Sequence, residues 1–142
     1  MKKLFFVLAL LSFGVKGYSQ SAKDTLPVIK FDKVLHDFGK IKEGTLATYS
    51  FIFYNTGTTP LILSNVQASC GCTTPEWSKE PIKPGAKGLI KAAYNSYGRP
   101  GEFQKYITVK SNGGADVTLT IKGNALPNVP DAVSPVRNPQ AE

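Results

Sequence analysis

The sequence predicts an all-β domain: an antiparallel sandwich of about seven short strands. Three observations carry this. Apolar residues alternate with polar ones over most of the interior of the chain, and no window shows a helical period. Turn-forming clusters such as Asn55-Thr56-Gly57-Thr58-Thr59-Pro60 and Asn112-Gly113-Gly114 separate the alternating runs. No segment is long enough for the helical crossover that a parallel sheet needs.

Val28 to Phe31 and Val34 to Phe38 supply one or two edge strands. Thr45 to Asn55 is the strongest strand, with Ala47, Tyr49, Phe51 and Phe53 on one face and Thr48 and Ser50 on the other. Leu61 to Ala68 follows, and a slip in its alternation near Ser64 and Asn65 predicts a bulge. Pro84-Gly85 turns the chain into Lys87 to Tyr94, where Ile90, Ala92 and Tyr94 face together. Pro100-Gly101 then leads into Phe103 to Lys110, with Ile107 and Val109 inward. Asn112-Gly113-Gly114 is a hairpin turn, and Val117, Leu119 and Ile121 complete the last strand. A small barrel is the competing architecture. The stretch from Cys70 to the Pro-flanked Trp77 reads as a loop.

The ends differ from this core. Lys2 and Lys3 precede an apolar run from Leu4 to Val15, and Gly17-Tyr18-Ser19 places small residues where a signal peptidase cuts. Residues 1–19 therefore read as a cleavable secretory signal, with Gln20 as the new N-terminus. The alternative, an uncleaved anchor, has an apolar stretch short of the roughly 20 residues that a spanning helix needs. No cysteine ends the run to accept a lipid, so no transmembrane segment or lipid anchor is expected after cleavage. Residues 20–26 read as a flexible segment, 27–126 as one folded domain, and 127–142 as a Pro-rich tail with too few apolar residues to fold.

Cleavage removes Lys2, Lys3 and Lys16, so 17 basic residues become 14 against 10 acidic, and the net charge falls from +7 to +4. The remaining lysines are dispersed, and Arg99 and Arg137 are the only arginines. This is not the clustered, aromatic-interleaved basic patch of a nucleic-acid site. The expected partner is a protein or another component of the cell envelope, with oligomeric state open.

Several short patterns together resemble a known family. They are Tyr49-x-Phe51-x-Phe53-x-Asn55-x-Gly57, Pro60-Leu61, Ser69-Cys70-Gly71-Cys72-Thr73, Pro81-Ile82-x-Pro84-Gly85 and Gly101-x-Phe103. The chain from about Phe31 to Gly123 resembles the bacterial domain-of-unknown-function family 1573, which is similar in pattern to PapD-like and major-sperm-protein-like domains. The resemblance implies an exported, immunoglobulin-like sandwich. It carries no established activity.

The chemistry worth weighing sits at Cys70-Gly71-Cys72. A disulfide there closes a loop of about three residues, contributing on the order of 1.5 kcal/mol, against roughly 3 for a fifteen-residue loop. Stapling is thus a weak reason for the spacing. One reading is a local disulfide, or a buried thiol pair, that shapes the loop, with Gly71 allowing a positive-φ or tight backbone. A second is a redox-active pair, although no Lys or Arg lies within five residues to lower a thiol pKa. A third is copper(I) held by two thiolates; pairing between molecules is a fourth. Zinc would need about four ligands, and only His36 and carboxylates are at hand. No cofactor is expected beyond that copper alternative.

His36, beside Asp37, reads as a half-buried strand residue, since nothing around it marks a nucleophile. Ser69 reads as a loop hydrogen-bonder. Trp77 and Tyr97 read as loop aromatics, either lids over the core or anchors for a ligand. The sequence-level expectation is a non-enzymatic binding or scaffolding module in the periplasm or outside the cell. Thiol redox or copper(I) chemistry at Cys70 and Cys72 is the alternative.

Overall fold

The computed structural model describes residues 25–128. The predicted signal segment (1–19), most of the predicted N-terminal segment (20–26) and nearly all of the Pro-rich tail lie outside the described residues. Eight strands form two four-stranded sheets packed face to face. The first sheet has the order β1 (Ile29–Phe31), β3 (Leu46–Asn55), β6 (Lys87–Asn95), β5 (Thr73–Trp77). The second has the order β2 (Leu35–Lys42), β8 (Val117–Leu126), β7 (Gly101–Ser111), β4 (Leu63–Ala68).

Alternation decides which side chains are buried. Phe51 and Phe53 of β3, Ile90 and Tyr94 of β6, Ile107 and Val109 of β7, and Leu119 and Ile121 of β8 all point between the sheets and are at most 1% exposed. Each such side chain contributes roughly 1.5–3 kcal/mol by leaving water. Tyr94 stacks on Phe103 across the two sheets, with ring centres 3.9 Å apart. Gly88 faces inward on β6 because the Phe53 ring occupies the space a Cβ would need. The predicted bulge in β4 is present as a register shift between Leu63 and Asn65 against β7.

Three details depart from the sequence reading. There are eight strands, because Thr73–Trp77 pairs with β6 instead of forming a loop. Its alternation was hidden by Pro75, which an edge strand tolerates. One pair, β2 with β8, is parallel, so the sandwich is not wholly antiparallel. The cause is a crossing: Asp32 N still donates to Ile52 O of β3 (3.0 Å), whereas Val34 O already accepts from Thr120 N of β8 (2.7 Å). The chain changes sheets there without reversing direction. Finally, the connection after Ser111 runs through Asp116, longer than a two-residue turn.

Candidate functional site

A second crossing of the sandwich is built from the two cysteines. Ser69 N donates to Tyr106 O in the second sheet (2.8 Å), and Cys72 O accepts from Asn95 N in the first (2.9 Å). Cys70-Gly71-Cys72 is all that lies between these bonds, and Cys70 and Cys72 are joined in a disulfide with Cα atoms 5.3 Å apart. Cys72 packs against the core and Gly71 is exposed. The Thr73 hydroxyl lies 3.8 Å from Cys70 Sγ, and the bonded sulfur can only accept from it. Of the two roles the sequence reading offered Gly71, a positive φ or a tight backbone, the first is absent. Its φ is not positive, and nothing lies within 4 Å of the position of its missing Cβ. The backbone there needs no glycine.

Through Asn95 the cysteine corner touches the β6–β7 loop. Asn95 Oδ1 accepts from Tyr97 N (3.0 Å), Ser96 O accepts from Arg99 N (3.0 Å), and Arg99 Nη1 donates to Tyr97 O (2.8 Å). Gly98 takes the left-handed conformation (φ +66°) that this tight loop requires. Ser96 is wholly buried, and its hydroxyl lies 2.9 Å from Thr45 O and 3.2 Å from Lys42 O. That clamp ties the loop to the turn between β2 and β3. The result is a tyrosine held on an ordered loop yet 76% exposed. The lid reading is therefore wrong for Tyr97. Leu46 (62% exposed) and Leu126 (42%) lie at the same end, Leu46 opposite Asn95 and Leu126 opposite Lys42.

The other predicted residues are elsewhere. Trp77 is the last residue of β5, not a loop residue, and its ring packs against the core at the strand end remote from the cysteines. Its buried Nε1 has no hydrogen-bond partner. Ser69 does bond within the corner, its Oγ accepting from Tyr106 N (3.2 Å). His36 is half-buried on β2, stacked on Tyr49 with ring centres 3.6 Å apart and edge-on to Phe38. Burial holds the imidazole below its ordinary pKa of 6.5, with Asp37 opposing and Lys33 assisting. Asp37 is held low chiefly by the Gly39 N–H, and Tyr94 is raised by burial. Among the described residues, no three His, Cys, Asp or Glu side chains gather as a ligand set. A disulfide sulfur is no thiolate, so metal binding at the corner would first require reduction. Ser96 had no sequence signal beyond its place before an aromatic.

Two packed four-stranded sheets, with β2 beside β8 and crossings at both edges, define a PapD-like, immunoglobulin-like β-sandwich. A family model described as "Protein of unknown function (DUF1573)" matches residues 29–125, and the chain belongs to that family. Among solved structures, it is similar to a protein of unknown function from Porphyromonas gingivalis W83 (TM-score 0.62, 18% identity, covering 75% of this chain and 51% of that one). The chain thus spans about half the length of that protein. It is also similar to the ASH/PapD-like domain 7 of human CEP192 (TM-score 0.62, 8% identity, 76% of this chain and 92% of that one). A third likeness is to the VesB protease of Vibrio cholerae (TM-score 0.55, 15% identity, 68% and 32%). Such low identities show the fold alone. A search of curated proteins gave no match.

Proposed function

We propose that this domain is an exported, non-catalytic module that binds a protein partner through the end of the sandwich carrying the disulfide corner and the Tyr97 loop. The observation that carries the reading is the outward presentation of Tyr97: a large aromatic, 76% exposed, on a loop whose backbone is hydrogen-bonded and which is anchored by the wholly buried Ser96. Ordering an aromatic before binding lowers the entropy cost of association, and exposed tyrosines of this kind are frequent interface anchors. Strand addition at a sheet edge is the less favoured mode. Strand β1 has three residues, β5 contains Pro75, and β2 and β4 each carry a register shift. Each of these features blunts an edge against pairing. Export is supported by the basic, apolar and small-residue order of residues 1–19.

Photo-crosslinking in the producing cells tests this. Tyr97→p-benzoylphenylalanine is expected to give a discrete adduct with one protein, and the same replacement at Lys87, on the outer face of the first sheet, is expected to give none. Equal labelling from both positions, or no adduct at 97, would reject the loop end as the binding surface. An adduct that forms only through a sulfur of Cys70 or Cys72 would favour thiol exchange.

A further inference from the structure

We propose that the outer face of the second sheet is a binding site for a neutral carbohydrate chain, with Tyr106 as its stacking platform. The register of β7, β8 and β2 lays the outward side chains in rows across the strands. Tyr106 lies beside Thr120 and Leu35; Gln104 beside Lys122 and Asp37; Glu102 beside Asn124 and Lys40. The last two rows line an open hollow of about 600 Å³. That volume is within the ~300–1,000 Å³ of small-molecule sites, but such sites are mostly apolar. This one is lined by two carboxylates, two ammonium groups and two carboxamides, together with Phe103, Gly39 and Gly123.

That set of groups selects the ligand class. Asp37 and Glu102 balance Lys40 and Lys122, so the hollow has no net charge to attract an anion or a cation. The lining supplies both donors (Lys40, Lys122) and acceptors (Asp37, Glu102), with Gln104 and Asn124 able to do either, which suits a ligand whose hydroxyls both give and take hydrogen bonds. The Asp37–Lys122 ion pair (3.4 Å, both side chains about half exposed) adds little to stability. Its removal would therefore read out on binding and not on folding.

Tyr106 supplies the apolar half of such a site. It is 45% exposed, and its backbone is fixed on both sides by Ser69, whose N donates to Tyr106 O and whose Oγ accepts from Tyr106 N. Its hydroxyl accepts from Gln104 Nε2 at 2.7 Å, which ties the ring along the strand toward the hollow. An aromatic ring hydrogen-bonded to a residue of a polar hollow pairs an apolar face for a sugar's C–H surface with hydrogen bonds for its hydroxyls. A smaller hollow of about 450 Å³, lined by Gln67, Ser69, Thr108 and Lys110 among others, extends the same face. A ligand of several sugar units would thus span Tyr106 and continue past it.

Isothermal titration calorimetry with cellohexaose, xylohexaose and mannohexaose tests the assignment, with oligogalacturonate as the anionic comparison. Saturable binding of at least one neutral hexasaccharide is expected. Tyr106→Ala should weaken it about tenfold, the worth of one aromatic stack. Gln104→Leu should also weaken it by releasing the ring, and Lys87→Ala on the opposite sheet should leave it unchanged. Thermal melts of each variant establish that it is folded; should Tyr106→Ala fail to fold, Gln104→Leu with Glu102→Ala carries the test. No saturation by any of the three neutral sugars in the millimolar range would overturn the proposal. So would tighter binding of oligogalacturonate, or affinity indifferent to both Tyr106→Ala and Gln104→Leu.

Discussion

Asn55 ends β3 and is 0% exposed, although its side chain is fully polar. Its Nδ2 donates to Thr59 O (2.8 Å) and Ile82 O (2.9 Å), and its Oδ1 accepts from Gly57 N (3.0 Å) and, at 3.4 Å, from Val28 N. One carboxamide thus joins three segments: the N-terminal approach to β1, the turn after β3, and the segment before β6. In Asn55→Ala the Ile82 carbonyl keeps a partner, because Leu61 N also donates to it (2.9 Å). The Gly57 N–H and the Thr59 carbonyl lose theirs; so does the Val28 N–H, but Val28 is 44% exposed and water replaces that long bond. The first two groups, at roughly 1–3 kcal/mol each, give a loss of about 3 kcal/mol. Against a total stability of ~5–15 kcal/mol, this is a large fraction. The melting point should fall by about 12–24 °C, and the urea midpoint should fall with little change in slope. Asn112→Ala is the internal comparison. Asn112 also bridges backbone groups, donating to Pro60 O (3.2 Å) and accepting from Ile62 N (2.8 Å), but it is exposed and water replaces it. That variant should cost about 0.5–1 kcal/mol. A loss below about 1 kcal/mol for Asn55→Ala, or equal losses for the two variants, would refute the argument from burial.

Acidification should weaken the domain through His36, the only histidine. Its folded pKa lies below 6.5, so between those two values the unfolded chain binds more protons and unfolding is favoured as pH falls. The stabilisation from a neutral His36 is complete above about 6.5 and is lost as pH drops through that window. Urea midpoints from about pH 7.5 down to about 5 should show this slope, and His36→Gln should flatten it. Asp37, also lowered, acts only as pH falls below its ordinary 3.8 and does not overlap that window. Replacing both cysteines (Cys70→Ser with Cys72→Ser) should cost only about 1.5 kcal/mol, read as a small shift in the urea midpoint. A loss several times larger would mean that the corner is a structural staple after all.

Most of the sandwich was legible because its core strands alternate cleanly. Ala47 to Phe53 and Ile90 to Tyr94 announce their buried faces, and even the β4 bulge showed as a slip of phase. What escaped was set by partners distant in sequence. Strand β5 carries Pro75 and has too few apolar residues to stand out; it is a strand because Thr73 to Trp77 meets Tyr94 to Ile90 of β6. The parallel direction of β2 depends on a sheet change within three residues, which no periodicity encodes. At the candidate site, the cysteines and Tyr97 were identifiable by residue type, but their adjacency was not. It arises from the bond between Asn95 N and Cys72 O, across 23 residues of chain. Ser96 was invisible because a buried serine and an exposed one look alike until the carbonyls of Lys42 and Thr45 are in place.

Gly71 gives that adjacency a functional edge. A glycine between two bonded cysteines would ordinarily be explained by backbone conformation, but here φ is not positive and the space beyond is open. Folding does not require it. Close approach from outside is a physical reason for a residue without a side chain that these observations leave open. Gly71 is exposed at the tip of the crossing, next to the loop that presents Tyr97. A partner seated on Tyr97 would lie over this bare backbone. Two substitutions separate the explanations. Gly71→Ala and Gly71→Leu should both leave the urea midpoint within about 0.5 kcal/mol of the parent, as unstrained surface changes do. Gly71→Leu should nonetheless reduce the crosslink formed from position 97, because its side chain projects into the space the partner fills. If Gly71→Leu destabilises the fold by more than ~1 kcal/mol, the glycine is structural. If it changes neither stability nor crosslinking, the partner does not reach the disulfide corner.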